Sequence, residues 1–298
     1  MKWIEPPAKD AGIETLEKKL WEGADDLRAN SGLKSQEYST PVLGLIFLRF
    51  ADARFALRRA ALEKAATGRR GSRVDEPGAY HAEGVLFLRA DARYGALLEF
   101  PEGGRDKKTL GQAVDEAMRA IEKDNPQLAG VLPKTYQIFN ARLLKNLLKT
   151  FSTIRADLEG DLFGKIYEYF LGEFAMTEGQ GGGEFYTPTS IVRLLVEVLE
   201  PFEGRVLDPA CGSGGMFVQS ARFVAEHRKT RSVTRGLSLH GVEKVDETGR
   251  LCRLNLAVHG LEGDIRHGGD INSYYDDPHN LVGGRLPVER RLPTGVAQ

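Results

Sequence analysis

Apolar residues in the first half of the chain recur at the spacing of an α-helix. Leu16, Leu20 and Ala24 follow one another every four residues, so they lie on one face of a helix. Residues 42–48 are apolar throughout, which predicts a helix that is buried on all sides. The segments with a helical pattern in this half are residues 13–30, 41–64, 109–123 and 141–170. The pattern therefore predicts a helical N-terminal domain.

The start of the second of these helices is predicted from a short polar segment. Ser39 and Thr40 are good N-cap residues, and Pro41 suits the first helical position because its missing N–H would have no partner there. Downstream of this helix, residues 68–73 form a basic loop that contains glycine. Such a loop could contact nucleic-acid phosphates, although a solvated connector is the more common role.

The second half of the chain alternates short apolar strands with amphipathic helices. The predicted strands are residues 204–207, 239–242 and 264–267, and the predicted helices are residues 189–200, 216–227 and 246–259. The apolar stripe of the first of these helices consists of Ile191, Leu194, Leu195 and Val198. This alternation predicts an α/β fold with a parallel sheet and helices on both of its faces. We therefore assign residues 1–150 to a helical domain, residues 151–283 to an α/β domain and residues 284–298 to a tail.

Length and composition agree with an ordinary two-domain protein. The chain has 298 residues and a formal net charge of −1, which excludes a polybasic protein but not a local basic groove. Two cysteines cannot form a disulfide framework or a four-cysteine zinc site, and six histidines add few ligands, so we predict no metal site. No segment resembles a signal peptide or a membrane span, and we expect a cytoplasmic protein.

A glycine-rich loop follows the first predicted strand, at the carboxyl edge of the sheet, where ligands bind in folds of this kind. Gly212, Gly214 and Gly215 allow a ligand to approach the backbone closely, next to the N-terminus of the following helix. The loop does not fit the dinucleotide-binding fingerprint, because Phe217 occupies the position of its third glycine.

Acidic residues follow the other two predicted strands. Glu243 ends the second strand, where a carboxylate can accept hydrogen bonds from a ribose diol; a surface ion pair with Lys244 is the alternative. Asp270 comes just after the third strand, and taken alone it is typical of a turn. Because all three features occur in order, each after a strand, we predict a ligand site at this edge.

These residues resemble the cofactor motifs of adenine-specific DNA methyltransferases. Residues 208–215, Asp-Pro-Ala-Cys-Gly-Ser-Gly-Gly, are similar to the loop that binds S-adenosylmethionine in that family. Residues 182–188, Gly-Gly-Glu-Phe-Tyr-Thr-Pro, are similar to the segment that contacts the methionine end of the cofactor. Glu243 matches the ribose-binding acid, and Asp270 matches the residue beside the adenine ring. Across residues 12–283 the chain most resembles the modification (M) subunit of type I restriction-modification systems.

The resemblance implies a partial Rossmann-like methyltransferase domain that follows the helical domain, with S-adenosyl-L-methionine as its cofactor. The cofactor-binding residues that it implies are Glu184, Phe185, Tyr186, Thr187, Pro188, Thr189, Asp208, Ala210, Gly212, Ser213, Gly214, Gly215, Glu243 and Asp270. It implies transfer of a methyl group to adenine N6 at specific sites in DNA, which requires the base to be flipped out and its amine aligned with the methyl group. The implied partners are double-stranded DNA, a specificity (S) subunit, a second M subunit and a restriction (R) subunit.

The catalytic tetrapeptide of that family is missing from this sequence. Such enzymes hold the flipped adenine with Asn/Asp-Pro-Pro-Phe/Tyr after the fourth strand, and no such run occurs here, so we assign no catalytic residue. The resemblance ends at Gly283, and residues 284–298 contain three arginines and two prolines, which suit a central strand poorly. We expect an M subunit that is frameshifted or prematurely terminated. The alternative function is a catalytically inactive remnant that binds only partners or DNA.

Two other enzyme classes are disfavoured by the same residues. A nicotinamide-dependent oxidoreductase does not fit Phe217 or residues 184–188. Cytosine-C5 methyl transfer needs a Pro-Cys nucleophile, and neither Cys211 nor Cys252 follows a proline.

A methyltransferase sheet with only three strands is expected to be marginally stable. One edge of its central strand would have no partner, and apolar side chains such as Leu207 and Val242 would lose their cover.

Overall fold

The computed structural model describes residues 8–29, 31–65, 73–154, 162–177, 187–227, 236–273 and 277–281. Its helices are α1 (Ala8–Ala29), α2 (Ser35–Ala65), α3 (Pro77–His81), α4 (Tyr94–Glu99), α5 (Leu110–Asp124), α6 (Ala141–Ser152), α7 (Leu162–Thr177), α8 (Thr189–Leu199), α9 (Gly215–His227) and α10 (Asp246–Val258). Its strands are β1 (Gly204–Asp208), β2 (Leu237–Glu243) and β3 (Gly263–His267). The chain forms two compact units: a helical unit that contains α1–α7, with Ala257–Gly260 grouped to it, and an α/β unit that begins at Thr187.

The compact helical unit also includes α7, which follows residue 150 in the sequence. Helix α7 belongs to it because aromatic side chains of α7 pack edge-on against α1 and α2. The ring centroids of Trp21 and Phe170 are 5.3 Å apart, and those of Phe50 and Phe163 are 5.4 Å apart. Contacts of this kind add stabilisation beyond the burial of apolar area.

The apolar run of α2 lies at the centre of the helical unit, as predicted. Every side chain from Val42 to Leu48 apart from Gly44 is buried. Gly44 is required because a Cβ there would lie 2.4 Å from the hydroxyl oxygen of Tyr136. That buried hydroxyl donates a hydrogen bond of 2.9 Å to the carbonyl oxygen of Pro41, which ties the 3-10 turn at Tyr136–Ile138 to α2.

Helix α2 begins at Ser35 and not at Pro41, so the predicted N-cap is wrong. The carboxylate of Glu37 accepts a hydrogen bond of 3.0 Å from the backbone N–H of Lys34, which satisfies a donor at the true start of the helix. Pro41 therefore lies inside the helix.

The predicted helix over residues 141–170 is two helices in the structure. Helix α6 ends at Ser152, and Ile154 donates to the Phe151 carbonyl oxygen at 3.1 Å in a tight turn. Residues 155–161 lie outside the described part of the chain, and α7 begins at Leu162. In contrast, α5 begins one residue after the predicted start at residue 109, and Thr109 caps it in a complete capping box with Gln112.

Within the described residues, the α/β unit contains a three-stranded parallel sheet in the order β1-β2-β3. Leu239 of β2 and Ile265 of β3 share one buried cluster with Phe217 of α9 and Leu256 of α10. Both helices therefore pack on the same face of the sheet, whereas we had expected helices on both faces. Right-handed crossovers explain this placement, because two successive crossovers in the same direction put their helices on one side.

Uncovered apolar surface occurs on α8, and not where we expected it on the sheet. Val242 is buried, and Leu207 is half-buried. On α8 the predicted apolar stripe is the exposed face: its side chains Ile191, Leu194, Leu195 and Val198 are all exposed. The buried face consists of Val192 and Val196, which pack with Phe223 of α9.

Candidate functional site

The loop between β1 and α9 is held against β2 by backbone hydrogen bonds. Asp208 ends β1, and its carboxylate accepts a hydrogen bond of 3.1 Å from the N–H of Ala210, which turns the chain away from the strand. The N–H of Cys211 then donates to the carbonyl oxygen of Val242 at 3.0 Å. The predicted cofactor loop therefore begins in a fixed position at the carboxyl edge of the sheet.

Two glycines of the loop adopt conformations that other residues rarely accept. Gly212 has φ of 52° and Gly214 has φ of 84°, both in the left-handed region. Gly214 is also restricted by packing, since a Cβ there would lie 2.8 Å from Sγ of Cys252. The backbone at Gly214 thus lies directly on α10, and Gly215 begins α9.

Glu243 is the residue that joins the loop to the second strand. One carboxylate oxygen accepts a hydrogen bond from the N–H of Gly212 at 3.1 Å, and the other accepts from the N–H of Val245 at 2.9 Å. These two donors orient the half-buried carboxylate. Each oxygen has a second lone pair, so the side chain can still accept hydrogen bonds from a ligand.

The turn after β3 is connected to the same edge. The N–H of Gly268 donates to the carbonyl oxygen of Glu243 at 3.1 Å, and the N–H of Ile271 donates to the carbonyl oxygen of Gly268 at 3.1 Å. Asp270 lies within this turn, and its side chain is exposed. All three strand ends that we selected from the sequence therefore meet, with Glu243 between the other two.

Two carboxylates make this edge electronegative. Burial raises the pKa of Asp208, and the neighbouring charge of Glu243 adds to that effect, while the hydrogen bond from Ala210 opposes it. A ligand that brings positive charge or hydroxyl donors to this edge would relieve the repulsion between the two groups.

Asn255 supports the loop from below, and the sequence analysis did not select it. Its side chain is 1% exposed, and Nδ2 donates a hydrogen bond of 2.8 Å to the carbonyl oxygen of Ser213. The sequence feature that could have identified Asn255 is its position. It is a single amide side chain one helical turn after Leu251, on the buried side of α10, and a buried amide needs a hydrogen-bond partner.

A buried thiol pair lies beneath the same loop. Cys211 and Cys252 are both free and buried. The interaction with Cys211 and burial together raise the pKa of the Cys252 thiol well above its ordinary value. The Cys252 thiol therefore remains protonated, and both buried sulfur atoms pack as small apolar groups.

The segment that we expected at the methionine end of the cofactor is described only in part. Glu184, Phe185 and Tyr186 lie outside the described residues. Thr187, Pro188 and Thr189 are exposed where α8 begins, with Pro188 in the N-cap position. Helix α8 itself packs against the loop helix: a Cβ on Gly215 would lie 3.8 Å from Val192.

Among the described residues, none of the helices combines the length and the apolar character of a membrane-spanning segment.

Two protein families match the chain in succession. Residues 16–151 match the HsdM N-terminal domain, and residues 158–284 match the N-6 DNA Methylase family. The MjaIX methylase subunit of a type I restriction enzyme from Methanocaldococcus jannaschii is 35% identical over 88% of this chain and 48% of its own length. The HindI methylase subunit from Haemophilus influenzae is 40% identical over 60% of this chain and 44% of its own length. The chain therefore spans about half the length of the curated relatives that it matches.

Solved structures show the same fold. The methyltransferase subunit of a type I restriction-modification system from Streptococcus thermophilus superimposes with a TM-score of 0.67 at 20% identity, covering 90% of this chain and 60% of that chain. A modification subunit of a type I restriction enzyme from Vibrio vulnificus gives a TM-score of 0.53 at 22% identity, covering 92% of this chain and 58% of that chain. The two consecutive family matches, which together span most of the chain, and the identity to the curated relatives show that the chain belongs to the family of type I restriction enzyme methylase subunits.

Proposed function

We propose that the α/β unit is the cofactor-binding part of an adenine-specific DNA N6-methyltransferase, and that the chain acts as the M subunit of a type I restriction-modification system. The observation that carries this proposal is the hydrogen bond of 3.1 Å between the N–H of Gly212 and the carboxylate of Glu243. This bond joins the glycine loop to the acid at the end of the neighbouring strand. Both can therefore contact one nucleoside-containing ligand. The match to the N-6 DNA Methylase family, whose members use S-adenosylmethionine, supports the same ligand.

The residues at this edge fit S-adenosylmethionine. Glu243 is oriented by two backbone donors and keeps free lone pairs for the ribose hydroxyls. Gly212, with φ of 52°, carries no side chain that a ligand would have to avoid, and Gly214 lets the loop lie directly on α10. We also assign Ala210, Ser213 and the exposed Asp270 to the cofactor, the last of them beside the adenine ring.

The other end of the cofactor is assigned to the segment that leads into α8. We propose that Glu184, Phe185 and Tyr186 contact the methionine moiety, with Thr187, Pro188 and Thr189 continuing that surface at the start of α8. The support is the packing of α8 on α9, which brings the N-terminal part of α8 close to Gly215.

When bound, the cofactor supplies a methyl group activated by a positively charged sulfonium. Asp208 and Glu243 then favour the cationic cofactor over its uncharged product, because both carboxylates contribute negative potential at the strand ends. Asn255 holds the Ser213 carbonyl in place, so the loop does not have to reorganise when the ligand arrives.

Double-stranded DNA is the proposed substrate, in the cytoplasm, and the exocyclic amine of a flipped adenine is the methyl acceptor. The proposed partners are a specificity subunit, a second M subunit and a restriction subunit. The support for these partners is that the relatives are themselves named as methylase subunits of type I restriction enzymes.

Titration of S-adenosylmethionine into the full chain by isothermal calorimetry tests the cofactor site. We expect Glu243→Gln to weaken binding about 10- to 100-fold, because a charge-assisted hydrogen bond is worth roughly 1.5–3 kcal/mol. Glu203→Gln is the matched control, since Glu203 is an exposed acid at the opposite end of β1 and its loss should leave the affinity unchanged. Equal affinities of the wild type and Glu243→Gln would refute the assignment.

A non-catalytic partner- or DNA-binding protein is the second candidate. The sequence contains no Asn/Asp-Pro-Pro-Phe/Tyr run. Incubating the full chain with methyl-labelled cofactor and unmethylated DNA separates the two candidates. Labelled N6-methyladenine excludes the second candidate, whereas cofactor binding without methyl transfer supports it.

A further inference from the structure

A cluster of two histidines and an aspartate lies on the other face of the sheet. His240 of β2 and Asp264 of β3 are paired in register, and His279 comes from the segment 277–281. Because Leu239 and Ile265 face the helices, strand alternation directs His240 and Asp264 to the opposite side. Each of the three residues offers one ligand atom, and these atoms lie within 4.8 Å of one another. None of the three belongs to the proposed cofactor site.

The hydrogen bonds of His279 leave one ring nitrogen facing a carboxylate. Its side chain is 1% exposed, and Nε2 lies 3.0 Å from the carbonyl oxygen of Gly241. A carbonyl oxygen can only accept, so Nε2 carries a hydrogen. Nδ1 then lies 3.1 Å from Oδ2 of Asp264. Two lone pairs would repel each other at this distance, so the geometry requires a positive centre, either a proton or a metal ion, between them.

His240 has a comparable arrangement. Its Nε2 lies 2.9 Å from the hydroxyl oxygen of Ser238, two residues earlier on the same face of β2. Its Nδ1 is buried and has no hydrogen-bond partner among the residues that the structure describes. An unpaired ring nitrogen that is shielded from water is unfavourable unless a ligand satisfies it.

We propose that His240, Asp264 and His279 bind a divalent transition-metal ion, with zinc as the ion of choice, and that this ion fastens the segment 277–281 to the sheet. Zinc accepts imidazole nitrogen and carboxylate oxygen ligands, and water completes the coordination when a protein offers three. Histidine ligands usually anchor their second nitrogen on an oxygen atom. The Gly241 carbonyl and the Ser238 hydroxyl provide that anchor here.

Arg266 competes with a metal ion for the same carboxylate. Its Nε lies 2.9 Å from Oδ1 of Asp264, and a second guanidinium nitrogen lies 3.1 Å from Oδ2. The guanidinium must release at least one oxygen for the ion to bind. The three donor atoms lie within 4.8 Å of one another. They must also move to about 3.3 Å apart, which is the distance between ligand atoms around a tetrahedral zinc ion. Removing the positive charge of Arg266 should therefore strengthen metal binding.

Metal content and cobalt absorption of the full chain test this site. We expect the wild type, dialysed against zinc, to retain one equivalent, and the cobalt-substituted protein to show the visible absorption of a tetrahedral ion. The double variant His240→Ala/His279→Ala should lose both signals. Ser238→Ala should weaken zinc affinity about 10-fold, as expected for the loss of an anchor, and Arg266→Gln should strengthen it.

His267→Asn is the matched control. His267 lies on the same sheet with Nδ1 at 2.8 Å from Asp246, but it has no third ligand residue in the described part of the chain. This variant should retain the metal. Absence of bound metal in the wild type would overturn the proposal. Zinc retained at full affinity by the double-histidine variant would overturn it as well.

Discussion

At the scale of single residues, Gly214 is the position in the loop where conformation and packing coincide. Its φ of 84° disfavours any side chain, and a Cβ would lie 2.8 Å from Sγ of Cys252. We expect Gly214→Ala to lower the free energy of unfolding by about 1–3 kcal/mol, the usual penalty for a strained backbone position. Urea unfolding followed by circular dichroism measures the change.

A double-mutant cycle separates the two causes of that loss. In the Cys252→Ala background the sulfur atom is gone, so the Gly214→Ala loss should shrink by at least about 0.5 kcal/mol. Gly236→Ala is the control, because a Cβ there meets no atom within 4 Å. Additive losses in the cycle would show that contact with Cys252 contributes nothing.

Residue patterns selected the candidate loop and its acid, but not Asn255, which supports the loop, or His279 on the other face of the sheet. Gly212 and Glu243 could be selected because each follows a strand, and parallel strands must end at one edge. Asn255 and His279 could not be selected in this way, because their roles depend on contacts with Ser213 and Gly241 that form only when the chain folds. These partners are far apart in sequence, so no spacing pattern predicts the contacts.

At the scale of elements, α8 shows how periodicity can select the wrong face. Both Ile191–Val198 and Val192–Val196 recur at helical spacing, so the pattern marks two apolar faces and cannot rank them. Val196 is 2% exposed and packs in the cluster with Phe223, whereas Val198 is 75% exposed. The start of α2 was misplaced for a related reason. Ser39, Thr40 and Glu37 all carry side chains that can bond a free N–H at a helix start, and Glu37 is the one that does so, at the N–H of Lys34.

A matched pair of substitutions on α8 tests which face stabilises the unit. Val196→Ala should lower the free energy of unfolding by about 1–3 kcal/mol, because it opens a cavity against α9. Val198→Ala removes the same two methyl groups from an exposed site and should change stability by less than about 0.5 kcal/mol. Equal losses in thermal or urea unfolding would contradict the assignment of the two faces.

At the scale of the whole molecule, the two compact units differ in how completely they bury their apolar surface. Among the described residues, the largest fully buried side chains lie in the helical unit, with the exception of Phe217 in the α/β unit. Five of those in the helical unit are tyrosines. In the α/β unit, α8 alone exposes five large apolar side chains, and the described sheet has only three strands. Since stability depends on buried apolar area, the α/β unit should be the less stable of the two.

The distribution of tryptophan makes this difference measurable. The sequence has two tryptophans: Trp21 lies in α1 of the helical unit, and Trp3 precedes that helix in the sequence. Tryptophan fluorescence therefore reports the helical unit, whereas far-ultraviolet circular dichroism reports both units. We expect circular dichroism to decrease at a lower urea concentration than fluorescence changes, because the α/β unit unfolds first. Coincident transitions would instead show a single cooperative unit.

S-adenosylmethionine should then act chiefly on the transition of the α/β unit, which contains Gly212 and Glu243. A ligand present at 100 times its dissociation constant stabilises the state that binds it by about 2.7 kcal/mol. If the cofactor binds at Gly212 and Glu243, it should raise the urea concentration of the first transition, which fluorescence does not detect, by more than it raises the fluorescence midpoint. Glu243→Gln should reduce this shift while retaining both transitions. A shift of the fluorescence midpoint alone would place the ligand in the helical unit and contradict the proposed site.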